Sequence, residues 1–193
     1  MPRETPLYRY DIINALIKKY DYQSYLEIGL ARGENFAAVE CPVKVSVDIA
    51  GNPTFKMPSD EFFKQNEMIY DIIFVDGDHS TEQARRDVVN AMRWCNYDGA
   101  IVIHDCSPGL PEHATDEYTG GCWMGGVWKV IAGLRTRDDL VVHTVNTDCG
   151  VAVVRRGKQT PLVLPDELTF DYLTDNRETV LNLISVDDFE AML

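Results

Sequence analysis

Tyr25-Leu26-Glu27-Ile28-Gly29-Leu30-Ala31-Arg32-Gly33 joins a short apolar run to a glycine turn. The run reads as a buried strand ending at Gly29. The turn leads into a short predicted helix, Glu34 to Val39, stopped before Pro42. Glycine permits the tight turn and lets a ligand approach the backbone closely. The helix behind it offers unpaired N–H groups. Nineteen residues after Gly29, the next predicted strand, Val43 to Ile49, brings Asp48 to its end. A carboxylate there can accept both hydroxyls of a ribose.

Outward from this turn the chain alternates apolar runs with amphipathic stretches, the pattern of parallel strands with crossover helices. Ahead of it, Thr5-Pro6 reads as a cap, and Ile13, Leu16, Ile17 and Tyr20 predict a helix over about 6–20, within an N-terminal segment 1–22. Behind it, Phe55 to Met57 reads as a weak strand, with Ser59 capping a helix through Phe62 and Phe63. Tyr70 to Val75 is a buried strand ending in Asp76-Gly77-Asp78-His79. Ser80 and Gln83 fit a capping box. Ala84, Val88, Ala91, Met92 and Cys95 then mark one helix face, with Arg85, Arg86, Asp87 and Arg93 opposite. Ala100 to Ile103 is a further strand, ending in His104-Asp105-Cys106. After a loop over 107–126, Val127, Val130, Ile131 and Leu134 mark a helix, with Trp128 and Trp94 as core or helix-surface aromatics. Leu140 to Val145 and Val151 to Val154 form a hairpin. The expectation is a single α/β domain, 1–193. Its doubly wound sheet would have seven strands, mostly parallel, with a C-terminal antiparallel hairpin and helices on both faces. The tail, 158–193, carries spaced apolar residues at Leu181, Ile184 and Phe189. It could cap the domain or join a homodimer.

The chain has 193 residues, 45% hydrophobic and 25% charged, an ordinary globular balance. Its net charge of -13 repels phosphate backbones, so nucleic acid is not an expected partner. No apolar run reaches the ~20 residues of a membrane span, and Met1 to Thr5 lacks a signal-peptide stretch. Five cysteines without a CxxC pair read as reduced thiols. His104, Cys106, His113 and Cys122 lack paired zinc-ligand spacing. A cytoplasmic location is expected.

Ligands of open α/β sheets gather where strands end and their order reverses. A dinucleotide fingerprint would be G-x-G-x-x-G. Here Ala31 and Glu34 stand at the second and third glycines, and Glu34 would repel a pyrophosphate. S-adenosylmethionine (SAM) has no phosphate and carries cationic sulfonium and ammonium groups, which Glu27 and Glu34 suit. At the next strand ends, Asp76 and Asp105 would lie on adjacent strands, where two hard carboxylates can hold Mg²⁺.

With these motifs in order, the sequence resembles class I SAM-dependent methyltransferases, in the group whose fourth motif reads DGDH and whose fifth strand ends in HDC or a related pair. The matching stretches are 25–35, 45–49, 70–87 and 99–106, and more loosely 123–135 and 148–155. The resemblance implies a Rossmann-like fold and a small O-methyltransferase-like enzyme. It places Gly29 and Gly33 at the methionine part of SAM with Glu27 beneath, Asp48 at the ribose, and Ser59 and Asp60 at the adenine. Asp76 and His79 fall at the methionine end, and Ala31, Asn35, Ile49 and Gly77 complete the cofactor set. In metal-dependent relatives the acids matching Asp76 and Asp105 bind Mg²⁺. Those enzymes follow the second acid with Asn or Asp, whereas Cys106 stands here, and thiol is a poor Mg²⁺ ligand.

The expected reaction is methyl transfer to a small hydroxylated acceptor of sugar or natural-product type. The protein's task is to hold the acceptor in line with the sulfonium and to take a proton, for which Asp78, His79 and His104 are candidates. The 107–126 loop, with Trp123 between two Gly-Gly pairs, reads as a lid. An NAD-binding oxidoreductase and a non-catalytic SAM-binding protein are the alternatives.

Overall fold

Both faces of the central strands are apolar, so the sheet has to be covered on both sides. In the computed structural model, which describes residues 7–193, this is what the strand β4 (Tyr70–Val75) does. Tyr70, Ile73 and Val75 join one core cluster, while Ile72 and Phe74 join the other. The remaining parallel strands are β1 (Ser24–Ile28), β2 (Val43–Asp48), β3 (Phe55–Lys56) and β5 (Cys95–Ile103). The hairpin β6 (Leu140–Val145) and β7 (Val151–Arg156) follows, with β7 antiparallel to both β5 and β6. With a last short strand, β8 (Leu183–Ile184), the order is β3-β2-β1-β4-β5-β7-β6-β8. It reverses between β1 and β4, which opens a crevice at their carboxyl ends.

Helices α3 (Ser59–Gln65), α4 (Thr81–Trp94), α5 (Val127–Arg135) and α6 (Phe170–Leu181) contribute to one core cluster. The other takes Ile12, Ile13, Leu16 and Ile17 of α1 (Arg9–Tyr20) and Phe189 of α7 (Val186–Met192). The short α2 (Glu34–Ala38) follows the glycine turn. Among the described residues, no helix is long and apolar enough to cross a membrane.

Several expectations are corrected. The Thr5–Pro6 cap lies outside the described residues, and α1 starts at Arg9, with Tyr8 as its cap. Ser59 opens α3 rather than capping it, because Pro58 holds the cap position and the Ser59 hydroxyl donates to Asp87. Ser80 does precede α4, but its side chain makes no cap bond, and Gln83 turns to Ser59 and Asp87 instead. Asp87 is buried, not on the solvent face, and Cys95 opens β5.

The tail supplies an eighth strand. β8 (Leu183–Ile184) runs parallel to β6, and Leu173, Val180, Leu181 and Phe189 are buried in the cores. The tail therefore caps the domain. Leu173→Ala should cost about 2–5 kcal/mol, the usual range for a fully buried leucine. Urea unfolding checks this, and a loss below about 1 kcal/mol would make the tail an appendage.

Candidate active site

Gly29 ends β1 with φ +88°, and its N–H donates to Val47 O at 2.9 Å. A Cβ at this position would stand 1.9 Å from the Asp76 carbonyl oxygen. Only glycine fits so close an approach of β1 and β4. Ala31 and Gly33 also have positive φ, +47° and +77°, so the chain coils tightly before α2. Asp48 holds this turn from the end of β2. Its Oδ2 accepts the N–H groups of Leu30 (2.7 Å) and Ala31 (3.0 Å), and its Oδ1 accepts that of Ala50 (2.8 Å).

Beside the turn lies a cavity of about 540 Å³. Gly29, Ala31, Asp48, Ile49, Ser59, Asp76 and Gly77 line it, as does Asp78. Met57, Pro58, Gln83 and Asp87, which the sequence reading did not assign to the cofactor, line it too. Glu27, Gly33, Asn35, Asp60 and His79 stand outside its walls. Asp60 pairs with Arg86 at 3.2 Å. Glu27 is buried under the turn, where it accepts hydrogen bonds from the Tyr25 hydroxyl and from Asn35 Nδ2 (2.8 Å). Burial pushes its carboxyl up to about 7, against the pull of those two bonds.

Asp76 belongs both to this cavity and to a charged cluster. His79 Nε2 lies 3.3 Å from Asp76 Oδ1, and His79 Nδ1 lies 3.4 Å from Asp105 Oδ2. His104 Nδ1 stands 3.3 Å from Asp76 Oδ1 and 3.4 Å from Asp105 Oδ1. Asp105 itself has φ +58°, an uncommon conformation for a residue with a side chain. Two residues with no motif of their own complete the cluster. Arg9 of α1 donates from Nη1 to both oxygens of Asp148 (3.2 and 3.1 Å), contacts His104 Nε2 at 3.2 Å, and sets its Nε 3.8 Å from Asp76 Oδ2. The Arg9 N–H also donates to Asp148 at 2.9 Å.

The charges decide the protonation states. Burial disfavours a charged His104, but Asp105, Asp148 and Asp76 outweigh it and raise its pKa. His79 is raised in the same way by Asp76 and Asp105. Burial would raise Asp76, yet the two histidines hold it well below the usual carboxylate range. Asp148, likewise opposed by burial, is held near 2 by His104 and Arg9.

The loop after β5 folds over His79. Trp123 stacks on the His79 ring with centroids 5.2 Å apart, and its carbonyl lies 3.0 Å from His79 Nδ1. The Thr81 N–H donates to Asp116 at 3.0 Å, and Arg177 of α6 donates to Ser107 Oγ and Pro108 O, at 2.9 and 2.7 Å. Asp78 lines the cavity and accepts the Ser80 N–H at 2.8 Å.

A methyltransferase-domain family matches residues 52–106, which span β3 to the end of β5. The fold is that of a class I methyltransferase. Solved structures agree over most of the methyltransferase fold. The O-methyltransferase TomG of Streptomyces achromogenes, involved in tomaymycin synthesis and solved with SAM, is 12% identical. It superimposes with a TM-score of 0.59 over 77% of this chain and 79% of its own. The methyltransferase PaMTH1 of Podospora anserina, with S-adenosylhomocysteine (SAH) bound, is 18% identical, with a TM-score of 0.57 over 78% of each chain. MycE, of the mycinamycin biosynthetic pathway, was solved with Mg, SAH and mycinamycin VI. It is 17% identical, with a TM-score of 0.51 over 80% of this chain and 50% of its own. No curated protein matches the chain in sequence.

Glu27 gives a stability test that needs no ligand. Its folded-state pKa lies above the ordinary 4.5, so the folded chain binds the proton more tightly. The resulting stabilisation is full below about 4.5 and is lost as pH rises through about 7. The loss amounts to about 3 kcal/mol at most. Glu27→Gln keeps a hydrogen-bonding side chain without the ionisation. Urea unfolding at pH 5 and pH 8 should therefore show a smaller decline in the variant, by about 2–3 kcal/mol. Identical declines would mean Glu27 is not desolvated as described.

Proposed function

We propose that the chain transfers a methyl group from SAM to a hydroxyl of a small acceptor, of sugar or natural-product type. The observation that carries this reading is the sharing of Asp76. One side of it walls the cavity beside Gly29 and Asp48, and the other faces His79 and His104. A cofactor in the cavity would present its reactive end to a cluster able to orient a hydroxyl and take its proton. Complexes of TomG with SAM and of PaMTH1 with SAH support this use of the fold.

In the transfer, the acceptor oxygen forms a bond to the methyl carbon as the carbon–sulfur bond breaks. The sulfur keeps the electron pair and leaves as a neutral thioether. The chain's part is to place and to deprotonate. Gly29 removes the side chain that would block the methionine portion, and Asp48 offers its carboxylate to the ribose. His79 is the favoured base, in the neutral form that it takes above its raised pKa. Asp78 is spent on the Ser80 N–H, and His104 is enclosed by Asp76, Asp105, Asp148 and Arg9. His79 sits at the rim beneath Trp123, where an acceptor under the loop would reach it.

Asp76, His79 and Asp105 each offer one ligand atom, and these atoms lie within 4.8 Å of one another. Two carboxylates and an imidazole fit a divalent cation, which would polarise the acceptor oxygen. Cys106 is no part of this set, since its buried Sγ lies against Ile103 O and His104 O. If EDTA changes neither turnover nor thermal stability, the trio holds no such ion. The five free cysteines suit a reducing compartment, and we place the protein in the cytoplasm.

The geometry disfavours NAD. The Leu30 and Ala31 N–H groups, which could cradle a pyrophosphate, already donate to Asp48. Titration calorimetry should accordingly show SAM and SAH binding and no binding of NAD. Asp48→Ala should weaken SAH by roughly 10–100-fold, the worth of hydrogen bonds to a charged group. His79→Gln should leave SAH affinity within about threefold while lowering methyl transfer to an acceptor panel by about 10²–10⁴-fold. Tight NAD binding would replace this reading with an oxidoreductase. Tight SAM binding without transfer to any acceptor would leave a SAM-binding protein without the activity.

A further inference from the structure

Two of the five thiols stand apart from the rest. Cys41, Cys95 and Cys106 are turned to backbone carbonyls, those of Tyr22 at 3.8 Å, Ala100 at 3.6 Å and Ile103 at 3.2 Å. Cys122 and Cys149 are exposed. Both lie at the end of β5, on different segments. Cys122 precedes Trp123, which stacks on His79, and His79 Nδ1 lies 3.4 Å from Asp105 Oδ2. Cys149 lies in the β6–β7 turn, where its carbonyl accepts the Ser107 N–H at 2.9 Å. Burial pushes the Cys149 thiol up, and Asp105, Asp148 and the Cys122 thiol push the same way, against His104. One thiolate acts on another only at short range, since salt screens charges beyond about 10 Å. The two sulfurs are therefore neighbours, although they belong to different loops.

The backbone at both positions is unusual. Cys149 has φ +64°, between Asp148 at +44° and Gly150 at +86°. Asn and Asp enter this left-handed region with help from a local hydrogen bond, and a cysteine has no such help. On the other side, Cys122 follows Gly120 and Gly121, with φ +84° and +63°. A Cβ at either glycine would meet nothing within 4 Å, so the chain before Cys122 is unpacked. After it, the chain is anchored. Trp123 Nε1 donates to Thr115 O at 2.7 Å, and the Met124 and Gly125 N–H groups donate to His113 O. A disulfide needs Cα atoms within about 7 Å of one another. The glycine pair gives the loop the freedom to meet that demand.

We propose that Cys122 and Cys149 are a redox-sensitive pair, which peroxide joins in a disulfide that pins the 107–126 loop to the β6–β7 turn. Hydrogen peroxide takes one thiol to a sulfenic acid and releases water. The other thiol then attacks that sulfur, the S–S bond forms, and a second water leaves. Two thiols are oxidised and one peroxide is reduced. A thiol reductant reverses the step, as suits a pair in a reducing compartment. The bond would hold Trp123 over His79 and so close the side of the site where the proposed reaction takes its acceptor. The cavity beside Gly29 and Asp48 lies on the other side of Asp76 and is left open.

The test is peptide mapping by mass spectrometry on the full chain, after hydrogen peroxide and alkylation of the remaining thiols. The peptides of Cys122 and Cys149 should be joined, two hydrogens lighter than their sum, and dithiothreitol should separate them. Cys122→Ser and Cys149→Ser should each abolish the link, with circular dichroism establishing that both variants are folded. Hydrogen exchange across 107–126 should slow at least about threefold in the oxidised wild type, and not in peroxide-treated Cys122→Ser. A wild type that forms no such link overturns the proposal. So does a link to another cysteine or to a second copy of the chain, and so does a link that leaves exchange in the loop unchanged. None of these readouts uses a cofactor or an acceptor, so the pair and the SAM reading fail separately.

Discussion

The site depends on how closely β1 and β4 approach at their carboxyl ends. Parallel pairing continues to Ile28 and Val75, and the next residues, Gly29 and Asp76, meet with no room for a side chain on the first. That contact puts the glycine turn against the backbone of Asp76. It also places the Asp76 side chain at the boundary between the cavity and the charged cluster. A larger residue at Gly29 would have to part the two central strands, and with them the register of the sheet. The glycine turn and Asp76 are therefore one structural unit, although they stand 47 positions apart in the chain.

On the far side of Asp76 the cluster is nearly neutral. Asp76, Asp105 and Asp148 face Arg9, His79 and His104. Burying a carboxylate without compensation is prohibitive, and this arrangement distributes the compensation over the whole chain. Arg9 comes from the first described helix and Asp148 from the β6–β7 turn, while His79 and His104 follow β4 and β5. The site thus closes only when the N-terminal helix has docked and the hairpin has formed. Several of these contacts have ion-pair distances without good hydrogen-bond alignment, since His104 Nδ1 and Arg9 Nε have no hydrogen-bond partner among the described residues. Long-range attraction holds the cluster more than directional bonding does. Under the proposed reaction, an incoming acceptor hydroxyl would exchange with modest contacts.

Strands and helices were legible because their apolar residues repeat with the right period. β4 came out as read, and the hairpin followed from two apolar runs around a short turn. Asp48, Gly29 and Asp76 were legible for a related reason, since each stands at the end of a strand where a ligand crevice must lie. Arg9 and Asp148 were not, because 139 residues separate them and neither stands in a local pattern. The tail strand β8 was missed because two residues carry no periodic signal. Asp87 is different. It lies three residues after Ala84 and four before Ala91, on the apolar stripe of α4, and the sequence showed this position. Its charge led to the solvent face, whereas Ser59 and Gln83 make burial tolerable.

The two sides of Asp76 solve the problem of buried charge in different ways, and the difference bears on how the site works. On the charged side, cations supplied by the protein meet the acids, so any divalent ion at Asp76, His79 and Asp105 would have to share Asp76 with Arg9 and His104. On the cavity side Asp87 has no cation of its own. Two neutral donors hold it, and desolvation raises its carboxyl to about 6, against their pull. The first arrangement is met by ions, and the second by neutral donors. The two ways of meeting buried charge are thereby separated by a single side chain.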